Sequence, residues 1–116
     1  MYNPKKEVYA ILNSLGYPCS QGYQANFKEV PAITFTVGSN RPRYTLGKEV
    51  LASEIEIVVD IWTNDSATLS RIASEAEAVM REHDYLQTFS TDVPAPEGCL
   101  YHYQMRFGGI KPDERK

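Results

Sequence analysis

Residues 50–65 read Val-Leu-Ala-Ser-Glu-Ile-Glu-Ile-Val-Val-Asp-Ile-Trp-Thr-Asn-Asp, and this stretch decides the fold. Across residues 55–61 the chain alternates: Ile55, Ile57, Val59 and Ile61 point one way, with Glu54, Glu56 and Asp60 on the other side. A period of two with β-branched residues on the apolar side is the signature of a strand with one buried face. The carboxylates say that the second face is not packed in a core. Asn64, Asp65 and Ser66 then supply helix-capping oxygens. Leu69, Ile72, Ala73, Ala76, Val79 and Met80 follow at helical spacing, one continuous apolar stripe over residues 67–82. At 1.5 Å per residue a helix over residues 66–83 is about 27 Å long, against about 33 Å for a strand over residues 53–62. The helix can therefore lie back along the strand and bury its stripe on the isoleucines.

Working outward, Asn3 and Pro4 form a helix start, and Val8, Ile11, Leu12 and Leu15 make one stripe, so a first helix is expected over residues 4–15. Gly16 ends it and Pro18 prevents continuation. Residues 17–29 have no sustained period and read as loop with at most one short strand. Ile33, Phe35 and Val37 alternate with Ala32, Thr34 and Thr36 in a strand that Pro31 opens and Gly38 closes. Residues 39–48 are then a connection of about ten where hairpins use two to five. Either the two strands continue into it as a projecting arm, or it is a mobile loop. Its Arg41, Arg43, Tyr44 and Leu46 are residue types that make protein contacts.

After the second helix, residues 85–91 form a weaker strand and 99–107 a stronger one. Cys99, Tyr101, Tyr103, Met105 and Phe107 lie on its apolar side, and Leu100, His102, Gln104 and Arg106 on the other. Gly108 and Gly109 close the fold, leaving residues 111–116 as a charged, disordered tail. The expected architecture is one α+β domain over residues 1–110. It is a mainly antiparallel four-stranded sheet with both helices on one face, in the order α-β-β-α-β-β, with a long arm between the first two strands. Thr34, Thr36, Glu54, Glu56, Asp60, His102, Gln104 and Arg106 are left on an uncovered sheet face, with Val58 and Trp62 among them.

At 116 residues and 42% hydrophobic composition the chain has enough apolar material for one core. It contains no run of about 18 apolar residues, as a membrane span requires, and no signal-peptide pattern, so no membrane partner is expected. A net charge of −3 disfavours general nucleic-acid binding. Cys19 and Cys99 have no metal-ligand spacing and are expected as reduced thiols unless the fold brings them together.

Chemistry is sparse. No glycine-rich loop precedes a Lys-Ser/Thr pair, and His83 sits where a cation favours a helix end. His102 and Cys99 fall on opposite faces, which disfavours a nucleophile pair. Glu54, Glu56 and Asp60 share a face but are spaced ~7 and ~13 Å along one strand, too far apart for one compact cation site. Tyr101, Tyr103 and Phe107 share the apolar side with Met105 and read as core rather than as a base-stacking platform. No catalytic, cofactor or metal site is assigned. Candidate contacts are Arg41, Arg43, Tyr44, Leu46, Val58 and Trp62, and Glu54, Glu56 and Asp60 form a candidate acidic strip.

The whole pattern resembles a family. A helix ending in Leu-Gly-Tyr-Pro (residues 15–18) is followed by a Pro-x-Ile-x-Phe strand (31–35) and a long loop. Then come the Glu-Ile-x-Val-Asp-Ile-Trp-Thr strand (56–63), an amphipathic helix and a tyrosine-rich closing strand. This is similar to the tail-terminator and tail-completion (head–tail joining) proteins of long-tailed bacteriophages and prophages, of the lambda type, over residues 4–107. The family's usual glycine after the second helix is replaced by His83 and Asp84. The resemblance implies a non-enzymatic structural subunit of the virion, made in the bacterial host cytoplasm. It implies a homo-oligomeric, typically hexameric, ring at the head-proximal end of the tail tube. Such a ring stops tube growth, contacts the tail tube protein and the head connector, and lets DNA pass without specific binding. Another neck, head-completion or minor tail component is one alternative. A small ferredoxin-like ligand-binding or regulatory domain is an alternative of another class.

Overall fold

The central strand, β3 (Val50–Thr63), is longer at both ends than its alternation alone required. The computed structural model describes residues 3–22, 30–94 and 100–112. Around β3 the chain runs α1 (Lys5–Asn13), β1 (Cys19–Gln21), β2 (Ala32–Tyr44), then β3, α2 (Ser66–Glu82), β4 (Leu86–Val93) and β5 (Tyr101–Pro112). Among the described residues the sheet has five strands, not four, in the order β1-β2-β3-β5-β4, and it is open. The strand that sequence periodicity could not count is β1. It is three residues long and pairs parallel to β2, Cys19 opposite Ile33 and Gln21 opposite Phe35. All other pairings are antiparallel.

The helical layer covers one face of the sheet. Val8, Ile11 and Leu12 of α1 and Leu69, Ile72, Ala76 and Met80 of α2 pack on Ile33 and Phe35 of β2, on Ile55, Ile57, Val59 and Ile61 of β3, and on Met105 and Phe107 of β5. Every one of these side chains is buried. Full burial of such a side chain contributes roughly 1.5–3 kcal/mol, so this single face holds the domain together.

At both helix starts a side-chain oxygen satisfies a backbone amide. Asn3 Oδ1 accepts from the Lys5 amide at 3.1 Å, and Asp65 Oδ2 accepts from the Thr68 amide at 3.0 Å and from the Thr68 hydroxyl at 2.6 Å. The end of α2 replaces the usual glycine by Asp84, at φ 67°. The Tyr85 amide donates to the Met80 carbonyl and the Asp84 amide to the Arg81 carbonyl, the paired bonds of a left-handed helix end. Tyr85 and Met80, the two residues such an end brings together, are both fully buried.

Three glycines read as strand ends, Gly38, Gly108 and Gly109, lie inside strands. Gly38 is the extra residue of a bulge, since Val37 pairs with Ile57 while Ser39 pairs with Glu56. A Cβ there would sit 2.6 Å from Glu56 Oε1 and 3.3 Å from Val58 Cγ2. Gly109 lies opposite Ile55, under the Tyr85 ring. β5 then continues through Lys111 to Pro112, so these two residues are not tail. Lys111 Nζ donates to the His83 carbonyl at 2.7 Å, lies 4.3 Å over the Tyr85 ring, and is 3.6 Å from Glu7 Oε1. Tyr85 in turn donates to Glu7 at 2.8 Å, tying α1 to the β5 end. The rest of the expected tail, residues 113–116, lies outside the described residues.

Candidate functional site

The connection expected as either an arm or a mobile loop is an arm. β2 and β3 stay paired as far as Tyr44 and Val50, and β5 accompanies them only to Ala52. Beyond that point a single pair, Tyr44 opposite Val50, precedes the tip among the described residues, and the molecule is 55 Å long but only 25 × 22 Å across. The tip closes through Thr45 N donating to Glu49 O (2.8 Å) and Lys48 N to Thr45 O (3.0 Å), with Lys48 at φ 67°. Leu46 is fully exposed at the tip, and Tyr44 and Leu51 are largely exposed beside it.

After the Gly38 bulge the odd residues of β2 change sides, so Arg41 and Arg43 reach Glu54 on the face away from the helices. Arg41 Nη2 donates to Oε1 at 2.9 Å, and Arg43 donates to Oε2 from Nε at 3.0 Å and Nη2 at 2.6 Å. The Arg43 hydrogen bonds first, then the charges of Arg43 and Arg41, hold the Glu54 carboxyl below its ordinary range. Arg41 and Arg43 therefore brace the arm, and Tyr44 and Leu46 are its free side chains.

The acidic strip is not a strip. Asp60 is 8% exposed, and its Oδ1 accepts from His102 Nε2 at 2.5 Å and from Gln104 Nε2 at 3.3 Å. Trp62, expected as a rim or interface residue, is also 8% exposed. Its indole donates to Thr34 Oγ1 at 3.2 Å and stacks on the His102 ring, centroids 3.7 Å apart at 16°. The uncovered face therefore ends in a buried polar cluster that sequence reasoning missed. Cross-strand pairing assembles it: Thr34 lies opposite Asp60, Asp60 opposite Gln104, and Trp62 opposite His102.

What remains open on this face is the middle. Val58 is half-buried, and beside it lie Phe89 and Leu86 of β4 and Ile110 of β5, all more than half exposed. β4 has its own bulge, between Gln87 and Phe89, which sets Phe89 opposite Arg106 on this face. Arg106 Nη1 is 3.8 Å from Glu56 Oε1. Because Gly108 has no side chain, a groove of about 500 Å³ runs over it, between Glu54 and Glu56 on one side and Leu86 and Thr88 on the other. A smaller depression of about 270 Å³ lies between Leu69 and Ala73 of α2 and Asp92 and Tyr103 of the sheet.

Among the described residues no three His, Cys, Asp or Glu side chains converge to hold a metal ion. Cys19 is a free thiol that burial pushes up to about 11, which leaves it protonated and unreactive at neutral pH. Cys99, the other half of the Cys–His and disulfide questions, lies outside the described residues. No helix among the described residues is long and apolar enough to cross a membrane. No family model matches this chain, and no curated protein matches it.

Proposed function

We propose that this chain is a structural subunit that assembles with copies of itself and has no catalytic role. The observation that carries the proposal is the arm: β2 and β3 run on past the end of β4 and close in a tip with exposed Tyr44, Leu46 and Leu51. An isolated hairpin is marginally stable in water, and a ribbon with apolar tip residues gains by docking on another surface. The resemblance to tail-terminator and tail-completion proteins gives the finer form of the proposal. In that form the subunit joins a hexameric ring at the head-proximal end of a phage tail tube, between tube protein and head connector, with DNA passing through. Glu54 is ion-paired with Arg41 and Arg43, and Asp60 is buried against His102 and Gln104, so the ring needs no acidic wall from them.

The test replaces residues 45–49 by a two-residue Asn-Gly turn and shortens nothing else. Fold and melting temperature should persist, while ring formation in negative-stain images and capping of purified tail tubes are lost. Normal capping by the shortened protein refutes the arm's role. The second reading, a small ligand-binding or regulatory domain, is favoured by the groove over Gly108, whose lining mixes Arg41 and Glu56 with Leu86 and Ile110. Saturable binding of a small molecule there, without any self-association of the wild-type protein, selects that reading.

A further inference from the structure

The middle of the uncovered sheet face is not used by the arm. We infer that it is an interface between two copies of the free subunit, stacked face to face about a two-fold axis that passes beside Arg106, a contact separate from the head-to-tail ones that close a ring. Three observations converge on a second copy as the occupant.

The first is composition. Val58, Leu86, Phe89 and Ile110 sit on three adjacent strands at neighbouring registers, so their exposure is one patch and not scattered residues.

The second is charge. On this face Arg41, Arg43 and Arg106 balance Glu54, Glu56 and Asp60, whereas the whole chain carries −3. Two copies repel across the rest of their surfaces and not across this one. The balance is also polar in direction: two arginines share Glu54 at the arm end, while Asp60 lies toward the opposite end. An antiparallel stack places the more positive end of each copy over the more negative end of the other. At the centre, Arg106 and Glu56 are 3.8 Å apart and each side chain is more than two-fifths exposed (44% and 41%). That pair is too loose to satisfy either group fully, and a two-fold axis beside it lets each Arg106 reach the other copy's Glu56.

The third is area. Four strands about 4.8 Å apart and about ten residues long present roughly 600 Å² in projection, and more as accessible surface, which approaches the ~800 Å² per partner of a stable interface. The groove over Gly108 supplies a concavity into which a side chain of the opposing face can pack.

A charge-swap experiment tests this. Arg106→Glu and Glu56→Arg are each made in the full chain, and molar mass is followed by light scattering after size exclusion across a concentration series. The wild type should pair. In each variant alone two like charges face each other across the axis, and the pairing constant should fall at least tenfold. An equimolar mixture of the two variants should recover pairing, because both contacts across the axis are then between opposite charges. The carboxylate placed at position 106 of one chain meets the guanidinium placed at position 56 of the other, and the unaltered Glu56 of the first meets the unaltered Arg106 of the second. A purely structural role for the intrachain pair produces no rescue on mixing. Unchanged pairing of the single variants, a mixture that stays monomeric, or a wild type that is monomeric throughout overturns the inference. The arm is tested separately with the shortened-tip protein. If that protein still pairs but fails to cap tubes, the two surfaces are distinct. If it no longer pairs while the charge variants do, the face is not the interface and the arm is.

Discussion

Gly108 and Gly109 are neighbours in β5, yet alanine at one position should do the opposite of alanine at the other. At Gly109 a Cβ would lie 3.0 Å from Tyr85 Cδ1, 3.1 Å from the Asp84 carbonyl oxygen and 3.2 Å from Tyr85 Cε1. None of these can move cheaply. The Tyr85 ring is fully buried, its hydroxyl is bound to Glu7 and its face carries Lys111, while the Asp84 carbonyl belongs to a tight helix end. Inserting one carbon into so close a fit costs about 1–3 kcal/mol, offset by the ~0.4–1 kcal/mol that losing a glycine takes from the unfolded chain. At Gly108 the nearest atoms to a Cβ are Thr88 Cγ2 at 3.5 Å and the Ile55 carbonyl at 4.0 Å, ordinary contacts, so only the favourable part remains. Gly109→Ala should therefore lose about 1–2 kcal/mol and Gly108→Ala should gain a few tenths, read as opposite shifts of the urea midpoint at constant slope. Tyr85→Val combined with Gly109→Ala should cost less than the sum of the two, because the smaller side chain removes the clash. Equal shifts at positions 108 and 109, or strict additivity with Tyr85→Val, would falsify the packing argument.

Asp84→Gly removes a left-handed aspartate and should raise stability by roughly 1 kcal/mol in thermal melts, while Asp84→Ala should not. Ile57→Asp places an unpaired charge under α2 and should cost several kcal/mol, enough to lose the folded circular-dichroism signal. Glu56→Thr, one residue away on the open face, should cost well under ~1 kcal/mol. Lys111→Met should lose about 1.5–3 kcal/mol with its bond to the His83 carbonyl, measured by denaturant titration. Because the folded Glu54 carboxyl sits below the ordinary 4.5, its support of the arm is complete above that value and is lost as pH falls through the depressed one. Amide exchange at Arg41 and Arg43 should accelerate there before the core responds, and a pH-independent arm would exclude the mechanism.

The elements legible in the sequence were those whose pattern is local. Ile55 to Ile61 and the Leu69 to Met80 stripe each repeat a period against one partner layer, and both lie where the pattern placed them. β1 was not legible because three residues pairing parallel to a distant strand leave no period. Gly38 read as a strand end and Pro42 as part of an over-long connection, whereas a bulge and an outer strand accommodate them. Asp60, Trp62 and His102 were each assigned singly to an open face. Their burial comes from the registers of two different strand pairs, and no single-strand pattern encodes that.

Gly38 has one more consequence. Because side chains alternate along a strand, the single extra residue at the bulge exchanges the two sides of everything beyond it in β2. Arg41 and Arg43 face Glu54 only through that half-step; without it Asn40 and Pro42 would occupy their side. Straightening the bulge with its residue kept would thus reverse the arm, inner surface for outer, whereas deleting position 38 leaves Ser39 opposite Glu56 and Arg41 opposite Glu54. The core strands on the near side of the bulge keep their register throughout. The chain holds, in one glycine, a place where its means of attachment can be turned over while the body it is attached to stays the same.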